Sequence, residues 1–595
     1  MIKKRFSFVV TLIVLIAMLA SCKLTAASSE TANASTYKEA VSVTLDSENL
    51  YPSTYDEDDY TSWKDYDFGT EYVFNVDTKT WEGISPADAG VATVTLKSAS
   101  LKVVNTTNSA INIRLTGSNS SFKVTVEGNN QAVKVTLDNV NLTSSDRALN
   151  IKSSSVSYVV LEGENSLETL INSEDKNVLK SASDLIFDGS GSLSVTANSK
   201  NGIVSDSVIC ILNGDITVTV AETTCYTDVD TSAIVADKGT GIKALLGFVM
   251  LDGNLTIYGN NSTKGYESKG IKVDGFEADT LTDESLAAKM GWIVIDGGSI
   301  TIKTQGKAIS AGWKESEDDK PASTANYPVP DVYINGGEID IVTYATPRDD
   351  TATLEGVSPE GIEAKNNLYI TGGTVVLNTT DDCLNASESI YISGGLIYAY
   401  ASQNDAIDAG AEENQGALSI SGGIVVALGA GAPEGGLDCN SNSRFTYTGG
   451  LIVSLGGSNN VPQASGTTAY TASASNASAG TTYALVQNGE VVLAFKVPSG
   501  YKAGSSVLLG SEKLSQGTAT LISGATVQSD NVFNGTVYYG NITVSGGTSS
   551  SVTVSNTASN NFGGGPGNFP GGGPGNFPGG GPGNFPGGGP GARPF

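Results

Sequence analysis

The chain has 595 residues, with 34 Lys and Arg against 62 Asp and Glu, a formal net charge of −28 and no His. An acidic surface without a basic stripe repels phosphate, so nucleic acid is excluded as a partner. The lack of His removes His nucleophiles, His general bases and His metal ligands, so any catalysis would fall to Asp, Glu, Lys, Arg, Tyr or Ser. With 71 Gly and few Met or Trp, the composition points to β structure with many turns.

The chain opens MIKKRFSFVVTLIVLIAMLASC, with Lys3, Lys4 and Arg5 ahead of an apolar run too short for a comfortable membrane span. Residues 1–21 read as a secretory signal. Leu19-Ala20-Ser21-Cys22 resembles a bacterial lipobox, which makes Cys22 the candidate lipidation site. The expectation is an exported lipoprotein at the cell envelope or surface, touching membrane through its lipid alone. Residues 22–37 read as a linker, and 38–84 as an acidic and aromatic segment without repeats. Cys210, Cys225, Cys383 and Cys439 lack zinc-ligand spacing and read as small core residues. An exported compartment permits disulfides, but the sequence assigns no pairing among them.

From 85 to 457 the chain is a repeat array. One phrase, any residue, a small or apolar one, Ile/Val/Leu, then any residue, recurs as Lys269–Lys272, Lys307–Ser310, Glu360–Glu363, Asp382–Asn385, Asp405–Asp408 and Gly435–Asp438, with closest spacings of 22 to 24 residues. A short strand, often a Gly pair, and another strand follow. The second residue after each pair is apolar: Ile300, Ile339, Val375, Ile397, Val425 and Ile452. Period-two alternation at this repeat length predicts an all-β, right-handed parallel β-helix. Leucine-rich repeats lack a matching Leu pattern here, and propeller blades are longer.

The outward positions of the late repeats are apolar as well: Leu396, Tyr398, Tyr400, Ile424, Val426, Leu428, Leu451, Val453 and Leu455. A stripe this continuous needs a cover. Residues 461–550 keep β alternation without the repeat and predict a small β-sandwich-like domain that folds back over the stripe. The alternative makes the stripe a glycan platform, with Tyr398 and Tyr400 stacking on sugar rings and Trp313 as a further carbohydrate-binding candidate. Residues 562–595 repeat GGGPGNFP, a composition that cannot bury a core and reads as a disordered tail.

The acids recur in register. In a β-helix, equivalent positions on neighbouring rungs stack about 4.8 Å apart. Two carboxylates at that distance repel by about 1 kcal/mol in water and several at the lower effective dielectric of a protein surface. Calcium, an oxygen-seeking ion, can bridge adjacent rungs. The candidate ligands are Glu360, Glu363, Asp381, Asp382, Asn385, Asp405, Asp408 and Asp438. On earlier rungs the same slot carries Lys243, Lys269, Lys272 and Lys307, which confines the calcium ladder to the later ones.

The stretches VKVTLDNVNLTSSDRALNIKSSSVSYVVLEGENSLE (133–168) and GIEAKNNLYITGGTVVLNTTDDCLNASESIYISGG (361–395) resemble the clostridial cellulose- and pectin-binding β-helix family, over roughly 100–457. The resemblance implies polysaccharide-lyase-like topology, bound calcium at the matching acid slots, and cellulose or acidic pectic chains as partners. Gly435 departs from the pattern, standing where the first acid of the last rung would be. The function expected is therefore a surface-anchored, calcium-stabilised polysaccharide-binding protein. Two alternatives remain: a calcium-dependent lyase acting on uronate glycans, with Lys365 as base, and a structural adhesin.

Overall fold

The computed structural model describes residues 51–52, 56–275, 291–312, 330–410 and 416–556. Cys22, Trp313, the signal, the linker and the Gly/Pro-rich tail lie outside the described residues.

The repeat array folds as stacked rungs of three short strands. Leu384–Ala386, Ile390–Ile392 and Leu396–Ala401 form one rung. Each pairs in parallel with its counterpart on the next rung: Ile407–Ala409, Leu418–Ile420 and Ile424–Leu428. The stack thus has three parallel faces, called here the first, second and third sheets in the order the chain visits them. The pleat turns alternate side chains inward. The six apolar residues that follow the Gly pairs are all 0–2 % exposed. Burying each such side chain contributes about 1.5–3 kcal/mol.

The Gly pairs make the corner before the third sheet, and the two glycines serve different needs. Gly395 has φ +87°, a backbone that other residues adopt only with strain. A Cβ on Gly394 would lie 2.2 Å from the Thr371 carbonyl oxygen of the preceding rung.

Both ends depart from the simple repeat. Glu71–Asn75 pairs in parallel with Ile111–Asn119, so rung pairing reaches back beyond the expected start at 85. Ala92–Lys97 lies antiparallel on Ser100–Asn105. Tyr60, Trp63 and Phe68, expected only as part of an unrepeated segment, cover the second sheet around Tyr158, Ile186 and Cys210. The Trp63 ring stacks on Tyr158 with centroids 5.4 Å apart. Further along the same column, Tyr333, Tyr369 and Tyr391 stack in succession at 4.9 and 5.1 Å. Cys210, Cys383 and Cys439 are buried, Cys225 is half-buried, and all four are free thiols.

After the last rung the chain forms an antiparallel unit. Its strand Ser506–Ser511 pairs with the last rung strand, Leu451–Gly456, and on its other edge with Tyr470–Ala474. This unit also covers the apolar stripe, as the pattern of outward residues leads one to expect. Tyr483, Leu485, Leu493, Phe495 and Val537 join Tyr398, Val426, Leu428, Val453 and Leu455 in one buried cluster. Tyr398 is 6 % exposed, which removes it from any free glycan platform. The unit extends past 550, because Thr548–Ser555 pairs with Gly517–Ser523.

Candidate functional site

The slot residues form a single outward column on the first sheet. Strand register aligns Lys243, Lys272, Ser310, Glu363, Asn385, Asp408 and Asp438 on successive rungs. Each side chain is placed by the Ile or Leu just before it, which points into the core and fixes the pleat.

The first two lysines of the column share one acid. Asp274 sits between Lys243 and Lys272, at 2.8 and 3.1 Å. On the following rungs Lys307, 4 % exposed, bonds Glu363 at 2.5 Å and lies 3.3 Å from Glu360. Lys365 adds a second cation 3.0 Å from Glu363, and the Ser310 hydroxyl donates to its other oxygen at 2.8 Å. Burial pushes the Glu363 carboxyl upward, but Lys307 and Lys365 outweigh it and hold the group well below the usual carboxylate range. Glu360 has less help. Burial, opposed by Lys307 and reinforced by Glu363 and Asp381, pushes it up to about 8. The two acids share one lysine and move in opposite directions because Lys307 is closer to Glu363, which also has Ser310 and Lys365. The charge therefore rests on Glu363. Glu360 Oε2 is buried and, beyond the Lys307 ammonium 3.3 Å away, has no hydrogen-bond partner among the described residues.

Among the described residues, the acids of the later rungs make no ion pair. Asp381 accepts from Asn404 at 2.8 Å. Asp382 accepts from the Asn385 amide at 2.9 Å and from the Asp405 backbone N–H at 3.0 Å. Asp405 accepts from the Gly435 backbone N–H at 2.5 Å. All three acids are at most 6 % exposed. Burial, reinforced by Asp408, Glu360 and Asp381, raises Asp382 well above its ordinary value. Burial likewise pushes Asp405 up to about 8, with Asp408 and Asp438 adding to it. Asp408 rises to about 7, from burial and then Asp438 and Glu434.

The donor chemistry suits a hard cation: buried carboxylate and amide oxygens stand in excess of positive charge. Among the described residues, no three acidic or Cys side chains converge into a ready-made metal-binding group. Glu360 and Glu363, predicted as ligands, are engaged by lysine. Lys365, the predicted base, pairs with Glu363 at 3.0 Å. Sequence reasoning missed Lys307 as the neutralising partner, although its slot directly precedes Glu360. Ser310 and Asn404 carried no signal.

A family model described as carbohydrate-binding domain-containing protein matches residues 100–409, slightly over half of the chain. The chain belongs to this family. The matched region contains Lys307, Glu360 and Glu363 together with Asp381, Asp382, Asp405 and Asp408. Among solved structures, a polysaccharide lyase-like protein from C. thermocellum, as a gadolinium derivative, aligns at 17 % identity over 54 % of this chain and 95 % of that one, with a TM-score of 0.31. No curated protein matches the chain.

Proposed function

We propose that the chain is a surface-anchored polysaccharide-binding protein whose late rungs are held together by calcium, with cellulose or acidic pectic glycans as its ligands. The observation that carries the calcium reading is the change along the slot column. Lysines pair with the acids as far as Glu363, and beyond it, among the described residues, buried acids stack without an ion pair. Asp382, Asp405, Asp408 and Asp438, with the Asn385 amide oxygen, would hold the ion. Bound there, it supplies positive charge to a stack that otherwise keeps its carboxyls partly protonated. Family membership supports carbohydrate as the ligand class. The LASC sequence supports anchoring at Cys22: Cys22→Ser should move the protein into the soluble fraction, and unchanged membrane association would remove that part of the reading.

A glycan array run on the full chain with calcium and again with EDTA tests the main reading. Binding of a polysaccharide that weakens in EDTA is expected. Absence of any glycan binding in calcium would overturn the function, and binding indifferent to EDTA would overturn the role of the ion.

A further inference from the structure

Family membership does not say where on this molecule a glycan sits. Where the third sheet meets the C-terminal unit, a cleft of about 700 Å³ opens between the turns that follow Leu396–Ala401 and Ile424–Leu428 and the loops near 476–478 and 501–505. That volume lies within the range of small-ligand sites.

Its chemistry differs from the rest of the surface. Although acids outnumber bases 62 to 34 in the chain, among the described residues no carboxylate lines the cleft and Lys502 is its one lining cation. Lys502 is exposed and makes no ion pair among the described residues. Tyr400 is half-buried on the wall, and its hydroxyl has no hydrogen-bond partner among the described residues. Tyr501, 5 % exposed, donates its hydroxyl to the Gly429 carbonyl at 3.0 Å. Its ring meets Tyr400 edge-on at 6.0 Å and 70°. Tyr501 is thus a rigid support, and Tyr400 is the ring left for a ligand. Ser402, Asn476 and Ser478 add hydroxyl and amide groups. An aromatic ring, neutral hydrogen-bonding groups and an unpaired ammonium, with no carboxylate to repel an anion, suit a sugar that carries one.

We propose that this seam cleft binds a uronic-acid-containing glycan, with Tyr400 as the stacking surface and Lys502 pairing with a sugar carboxylate. The proposal rests on the carbohydrate-binding reading, adds its location, and chooses the acidic of the two glycan classes named there. It keeps Tyr400 as a carbohydrate-binding residue and replaces Tyr398, buried beneath the same unit. Beyond the cleft, the outward column through Tyr400 runs back to Lys303 and Tyr258. Tyr258 is exposed, and a longer chain has a surface there on which to continue.

Calorimetric titration of the full chain with oligogalacturonate and with a cello-oligosaccharide of equal length tests this. The oligogalacturonate should bind more tightly. Lys502→Glu, at an exposed position that leaves the fold intact, should weaken it by about tenfold or more, the scale of one lost charge-assisted contact, and leave the neutral oligomer nearly unaffected. Tyr400→Ala should weaken both, and Tyr400→Phe, which keeps the ring, should bind as the parent does. If the parent binds oligogalacturonate and Lys502→Glu binds it equally well, the cleft is the wrong place while the carbohydrate-binding reading stands. A preference for the cello-oligosaccharide overturns the sugar class. If the parent binds no carbohydrate of any kind, both readings fall.

Discussion

At Lys243 and Lys272 the slot column carries ammonium groups, and at Asp408 and Asp438 it carries carboxylates, yet Ile271 and Ile407 behind the two stretches are both buried. The third sheet changes over the same span. Its outward residues are Ser299, Thr301, Glu338 and Asp340 on earlier rungs and Tyr398, Val426 and Val453 on later ones. The inward column makes the fold and tolerates either exterior. The exterior decides what each stretch requires from outside itself. The early rungs pair their acids with their own lysines and keep a polar face, whereas the late rungs require a protein cover on one face and, on our reading, a cation on another.

The largest effect should come from removing that cover. A chain ended after residue 457 exposes the late apolar stripe and should aggregate or lose cooperative unfolding, as followed by light scattering and circular dichroism. A soluble, cooperatively folded fragment would erase the distinction between the two stretches. Next is Lys307→Met. It strands buried acids and should cost about 3–5 kcal/mol in urea denaturation, whereas Lys243→Met, on a more exposed pair, should cost about 1 kcal/mol or less. Equal costs would mean that burial does not separate the two lysines. Calcium at about a hundredfold over its dissociation constant should add about 2.7 kcal/mol to stability. Asp382→Ala or Asp405→Ala should erode that gain, and Asp58→Ala should not. A melting temperature indifferent to calcium and EDTA would sink the cation assignment.

The smallest effect is on pH. In EDTA, Glu360, Asp405 and Asp408 titrate near 7 to 8 in the folded chain, against about 4 in the unfolded one. Between those values the folded state binds more protons, so its stability falls as pH rises. Glu363 works in the opposite direction, but its folded value lies below the ordinary carboxylate range, so its window closes at the acid end. The metal-free protein should therefore melt higher at pH 5 than at pH 8. A flat profile would show that these carboxyls are ionised throughout.

The rungs were legible because pleat alternation and the Gly pairs repeat together, which placed Ile300 through Ile452 inward without any structure. The acid register was legible for the same reason, and so was the need for a cover over Tyr398 and its neighbours. Lys307 was harder. Its slot was visible, but its reach across to the next rung depends on a side-chain conformation that spacing does not encode. The covering of Tyr158 and Cys210 by Tyr60, Trp63 and Phe68 was hidden because the covering segment has no repeat. The seam cleft joins Tyr400 to Tyr501 and Lys502, residues a hundred positions apart in unlike sequence, and only the folded chain brings them together.

Ser506–Ser511, which closes the last rung, has a consequence for the order of assembly. From Ile362–Ala364 onward each rung finds its partner one repeat away, a short loop to close, so these late rungs can add one after another as the chain emerges. The downstream partner of Leu451–Gly456 lies about twice that distance away. The late apolar face is thus finished before its cover exists, and for that interval it is a sticky surface in solution. The length of 457–505 sets how long the interval lasts. Lengthening that connection should leave the final stability nearly unchanged while lowering the yield of refolded monomer.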